Sequence, residues 1–213
     1  MSNASQTAAP SLKWAFNVEP RVPSAASPPV LELAVDDIVE ETTEAIVVPT
    51  GGFVDLAIRR VAGRALSEAF RDAVFLDGGL APGKVVVTPG FDLRARYIVH
   101  CAPPVYGRDS RTAHSNLVAC HCDALRLARQ RGFASIAFPA LGTGVRGYPL
   151  EEAASAALAA VIDELREFGA PRLVRFVLFG PSMLEAYLQA ADARLSEIRR
   201  ADLADLGLAA AHR

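Results

Sequence analysis

The chain has 213 residues, of which 51% are hydrophobic, enough for one domain with a well-buried core. Its net charge is −2 with 22 basic and 24 acidic residues interspersed, so there is no basic stripe to favour nucleic acid as the main ligand. No apolar run is long enough to cross a membrane or resembles a signal peptide, and three cysteines without a pairing rhythm suit a reducing, cytoplasmic setting.

Residues 1–29 are rich in Ser, Ala and Pro and read as an N-terminal extension, loose over most of its length. Within it Leu12, Trp14, Phe16 and Val18 alternate with polar or small neighbours, which predicts an edge strand at 12–18 with one buried face. Short apolar runs then predict strands at Val30–Val35, Ala45–Val48, Lys84–Thr88, Tyr97–Cys101, Ser135–Phe138 and Leu173–Phe179. Helical spacing lies between several of them. Val54, Ile58, Val61 and Ala65 share one face, as do Leu150, Ala154, Ala157, Leu158, Val161 and Leu165. A further helix is expected from Thr112 to Arg131, closed by Gly132. Ser182 with Glu185 reads as a capping box for a helix from Met183 to about Arg194. Leu203, Leu206 and Leu208 suggest a short helix in a tail at 201–213. Strands alternating with helices imply an α/β fold around a mixed, mostly parallel sheet, with the globular domain at 30–200.

In such sheets ligands bind beyond the carboxyl ends of the strands. Two loops occupy that position: "VPTGGFVDLAI" (Val48–Ile58) and "PALGTGVRGYP" (Pro139–Pro149). Glycines let backbone N–H groups converge on a ligand without a Cβ intervening, and a helix N-terminus adds a dipole that favours negative charge. Two such loops suggest a ligand with two adjacent phosphates. Taken singly, either loop also reads as an ordinary turn.

Other patterns point elsewhere and fail. "GGLAPGK" (Gly78–Lys84) spaces its residues like a phosphate loop, but valine follows the lysine and a strand follows that. His100 and Cys101 are strand neighbours and face opposite ways. Cys120, His121 and Cys122 fan out by about 100° per residue on a helix, so no metal site is expected from them.

With both loops in view, the sequence resembles the macro domain family of ADP-ribose-binding modules, from about Leu31 to Leu188. The resemblance rests on an ordered series: "VDDI" (35–38), "EAIVV" (44–48), "VDLAIRRVAG" (54–63), "VVVTPGFDLRARYIVHCAPP" (85–104), "SIAFPALGTGVRGYP" (135–149) and "VRFVLFG" (174–180). It implies a three-layer α/β/α sandwich that needs no cofactor, and a partner that is ADP-ribose or an ADP-ribosylated protein. Asp37 matches the aspartate that accepts from the adenine amino group, with Ile38 beside it. Leu141, Gly142, Thr143, Gly144 and Val145 match the diphosphate loop. Arg146 departs where an aromatic residue is common, and either pairs with phosphate or faces water. Phe179 matches an aromatic lining residue, with core packing as the rival reading.

The first loop departs furthest. Hydrolytic relatives carry Asn-Ala-Ala-Asn after this strand, whereas here Val48, Pro49 and Thr50 lead directly into Gly51, Gly52, Phe53, Val54 and Asp55. Asp55 matches the aspartate credited with activating water or touching the distal ribose, yet an acid in a first helical turn also complements the dipole by about 0.3–1 kcal/mol. Three functions follow from the resemblance: an ADP-ribose binder with little or no hydrolysis, an active ADP-ribosyl or O-acetyl-ADP-ribose hydrolase using Asp55, or an interaction scaffold whose cleft is filled by its own chain.

Overall fold

The computed structural model describes residues 12–21, 27–107 and 112–205. Among these residues, seven strands form one sheet: β1 (Lys13–Asn17), β2 (Val30–Val35), β3 (Ala45–Pro49), β4 (Val85–Pro89), β5 (Tyr97–Cys101), β6 (Ser135–Phe138) and β7 (Leu173–Leu178). Their order is β1-β2-β7-β6-β3-β5-β4. The inner strands run parallel, while β1 and β4 pair antiparallel at the two edges. The helices are α1 (Phe53–Ala62), α2 (Ala65–Leu76), α3 (Ala113–Arg131), α4 (Leu150–Phe168) and α5 (Pro181–Asp205).

The alternation of side chains along β3 shows why three layers form. Ala45 and Val47 belong to the core under α3, α4 and α5, and Ile46 and Val48 to the core under α1 and α2. All four are wholly buried, so the strand reads as a continuous apolar run with no polar face. Alanines along α4 (Ala153, Ala154, Ala157) keep that helix close to its neighbours. On the opposite face of β7, Arg175 binds Glu32 and Glu41 at 2.7 Å each, and Lys13 binds Glu32 at 2.7 Å. That network ties the β1–β2 edge and the chain after β2 to the centre of the sheet.

The structure corrects several sequence expectations. Gly63 has φ +83°, which ends α1, so Ala65 opens α2 instead of extending the first helix. Ile58 is buried as expected, but Val61 is 40% exposed. Ser182 does not cap α5; Pro181 already stands in its first turn, and the Leu184 N–H donates to the Gly180 carbonyl. The same helix runs past Arg194 to Asp205, held to α4 by the Arg194–Asp163 and Arg166–Asp202 ion pairs. The expected tail at 201–213 therefore begins as a continuation of α5, and residues 206–213 lie outside the described residues. Trp14 pairs with Leu33 in the edge strand, so this segment is used in the sheet and does not fill a cleft, but Leu12 and Trp14 are exposed and only Phe16 and Val18 reach the core. Among the described residues no helix is long and apolar enough to cross a membrane.

Candidate functional site

β2, β7, β6 and β3 are adjacent and parallel, so the loops that leave them emerge at one edge of the sheet. Together they enclose a cleft of about 640 Å³. Of the residues singled out in the sequence, Asp37, Ile38, Gly52, Phe53, Val54, Gly142, Thr143, Gly144, Val145, Arg146 and Phe179 line it. Gly51, Asp55 and Leu141 do not.

Asp36 and Asp37 stand at the β2 end. The Asp37 carboxylate accepts from the Val39 N–H at 3.0 Å and caps the 3-10 turn Ile38–Glu40, while Asp36 accepts from the Asp37 N–H at 2.8 Å. Asp37 keeps its second oxygen free of protein donors among the described residues. The turn is braced from below by Glu41, which receives Arg175. Phe179 follows β7 and is 93% exposed, so it serves the cleft wall and not the core.

The second loop holds its shape through its own backbone. The Tyr148 N–H donates to the Gly142 carbonyl, the Gly147 N–H to Gly144, and the Thr143 hydroxyl to Ala140. Gly142 has φ +84°, and a Cβ there would stand 3.3 Å from the Tyr148 Cβ, so this position requires glycine. A Cβ on Gly144 would meet nothing within 4 Å. The N–H groups of Thr143, Gly144 and Val145 have no acceptor among the described residues, while those of Gly147 and Tyr148 close the loop behind them. Across the cleft, Gly52, Phe53 and Val54 form the start of α1, where backbone N–H groups are also without partners. Arg146 joins the two loops, its Nη2 donating to the Thr50 carbonyl at 3.0 Å.

Asp55 is buried beneath the first loop. One oxygen accepts from the Gly51 N–H at 3.0 Å and the other from Arg59 Nε at 2.8 Å. Both oxygens thus hold the loop and the first turns of α1 in place, and Asp55 is not among the residues that line the cleft.

Val35, Asp36, Val39, Pro49, Thr50, Ala57, Pro139, Ala140, Val177 and Met183 complete the lining and were not singled out as site residues in the sequence. Thr50, Pro139 and Ala140 directly follow β3 and β6, so strand ends alone would have found them. Met183, one turn into α5, carries no such signal.

The other motifs lie elsewhere. Gly78–Lys84 is a turn leading into β4. His100 is buried under α2, with Nε2 2.9 Å from the Thr88 hydroxyl and its ring beside Phe70. Cys120 and His121 are buried and Cys122 is half-buried, and the described residues contain no His, Cys, Asp or Glu cluster able to hold a metal ion.

Comparison with known proteins gives this architecture its context. The family model for the Macro domain matches residues 39–157. An O-acetyl-ADP-ribose deacetylase of Klebsiella pneumoniae (strain 342) is 36% identical over 158 residues, covering 74% of this chain and 89% of that protein. An Oceanobacillus iheyensis macrodomain with MES bound superposes with a TM-score of 0.80 at 32% identity, over 88% of this chain and 99% of that one. A Trypanosoma brucei macrodomain in complex with ADP-ribose has a TM-score of 0.68 at 31% identity, over 75% of this chain and 68% of that one.

Proposed function

The chain belongs to the macro domain family, and on that premise we propose that its cleft binds ADP-ribose or a related adenosine diphosphate derivative, with little or no hydrolysis. The observation that carries this reading is the set of unpartnered backbone N–H groups of Thr143, Gly144 and Val145 facing the start of α1 across one cleft. Those donors suit a diphosphate. At the β2 end, the free oxygen of Asp37 suits the exocyclic amine of adenine, and Phe179 and Met183 offer apolar surface to its ring. The binding unit is the expected domain at 30–200 together with β1 from the extension at 1–29 and the end of α5 from the tail at 201–213. Its cytoplasmic ligand is ADP-ribose either free or carried on a modified protein.

The low activity follows from Asp55. Water attack on a ribose linkage needs a group positioned within hydrogen-bonding reach of the water. Here the Asp55 carboxylate is engaged on both oxygens and does not line the cleft, and the asparagines of hydrolytic relatives are absent. Misplaced groups forfeit much of the advantage that orientation confers. The alternative, an O-acetyl-ADP-ribose or ADP-ribosyl hydrolase, is favoured by the name of the Klebsiella relative.

Titration calorimetry tests the binding reading. ADP-ribose and ADP should bind more tightly than AMP, because only they place a second phosphate between the loops. Equal affinities for all three would remove the diphosphate from the argument. Incubation with O-acetyl-ADP-ribose or a mono-ADP-ribosylated protein should release little product, and robust turnover abolished by Asp55→Ala with substrate binding retained would establish the hydrolase instead.

A further inference from the structure

Arg146 is the one basic side chain among the described residues that line the cleft. It is half-buried, and no described carboxylate pairs with it. One of its five N–H donors is used on the Thr50 carbonyl, and the remainder have no acceptor among the described residues. A guanidinium in that state is a site for an anion, because charge-assisted bonds to phosphate are strong and the geometry can be bidentate.

Its place along the cleft gives the anion an address. Thr50 follows β3, whereas Asp36 and Asp37 follow β2, and β7 and β6 lie between those strands. Three strand spacings separate the two ends by about 14 Å. The cleft is therefore acidic at one end and cationic at the other, with the unpartnered N–H groups of the second loop between. A nucleoside diphosphate has matching polarity, its amino-bearing base remote from its terminal phosphate. In ADP that phosphate is an unesterified terminal group, joined only through the anhydride oxygen and carrying about 1.5 to 2 negative charges near neutral pH. In ADP-ribose it is esterified to the second ribose and carries a single charge.

We propose that Arg146 is a specificity-determining residue that strengthens the binding of adenosine diphosphates with a free terminal phosphate more than that of ligands, ADP-ribose among them, in which that phosphate is esterified. The proposal rests on the cleft being the adenosine diphosphate site argued above. The guanidinium keeps Thr50 with one N–H while others meet the phosphate, so ligand binding costs no bond between the loops.

The test is calorimetry on the full chain with ADP and ADP-ribose, for the wild type, Arg146→Gln and Arg146→Lys, at low and high salt. Arg146→Gln should weaken ADP by about tenfold or more and ADP-ribose by only about threefold, so that the ratio of the two affinities falls. Arg146→Lys should recover part of the ratio, and added salt should lower it in the wild type. Equal losses for both ligands would make Arg146 a loop latch and overturn the proposal, as would no loss for either. Should Arg146→Gln fail to fold, the salt dependence of the wild-type ratio and Arg146→Lys still decide it. Failure of the wild type to bind either ligand would overturn the cleft reading itself, a different result from binding without discrimination.

Discussion

Asp55 and Asp37 are both acids at the start of a helical turn, and their surroundings separate their roles. Asp37 is exposed at the cleft and uses one oxygen on the Val39 N–H, which leaves the other for a ligand. Asp55 is 6% exposed and holds both Gly51 and Arg59. Truncating it leaves a half-buried N–H and a guanidinium without their acceptor, a loss of about 1–3 kcal/mol. Asp55→Ala should therefore lower the urea midpoint clearly while changing ADP-ribose affinity only modestly, a pairing that denaturation and calorimetry on the same sample would check. An affinity collapse in a variant of unchanged stability would place Asp55 on the ligand.

The second glycine loop offers the same separation within one element. Gly144→Val adds a side chain into open space at an ordinary φ, so the protein should fold normally and lose most of its ADP-ribose binding. Gly142→Val meets Tyr148 and a left-handed backbone together, so its first effect should be on stability, by about 1–3 kcal/mol. Thermal melts beside titrations distinguish the two, and equal melting losses would show that Gly144 is structural as well. Much of this loop was legible in the sequence, because glycines between a strand and a helix have a local cause. Central strands were legible too, since β3 is buried on both faces and reads as an apolar run, and β7 departs from one only at Arg175. The helix α2 was not, because its outer end exposes Phe75 and Leu76 and blurs the amphipathic pattern. Nor was the Arg146–Thr50 contact, which joins residues 96 positions apart, or the engagement of both Asp55 oxygens, one of which depends on where Arg59 falls one turn later.

At the scale of the whole molecule, the two cores each enclose a neutral histidine. His121 lies in the α3–α5 core, where Nδ1 bonds the Leu117 carbonyl at 2.9 Å and the ring stacks on Phe138; its Nε2 has no partner. Since a carbonyl only accepts, Nδ1 carries the proton. Burial pulls this residue down to about 4, against the pull of the Leu117 bond. His100 lies in the other core and is pulled down to about 3, by burial first and then by the Arg59 charge. In the unfolded chain both titrate near 6.5. Between those values the unfolded state binds more protons than the folded one, so stability is complete above about pH 6.5 and falls as pH drops toward 4 and 3. Lowering the pH from 7.5 to 5.5 should cost about 1.4 kcal/mol for each histidine, before most carboxylates begin to titrate. Glutamine at either position keeps a hydrogen-bonding group and removes the titration. His100→Gln and His121→Gln should each show a smaller drop in urea-derived stability across that interval than the wild type, and the double variant the smallest. A wild-type slope that survives in the double variant would assign the acid sensitivity to other groups and leave both buried histidines as silent parts of the core.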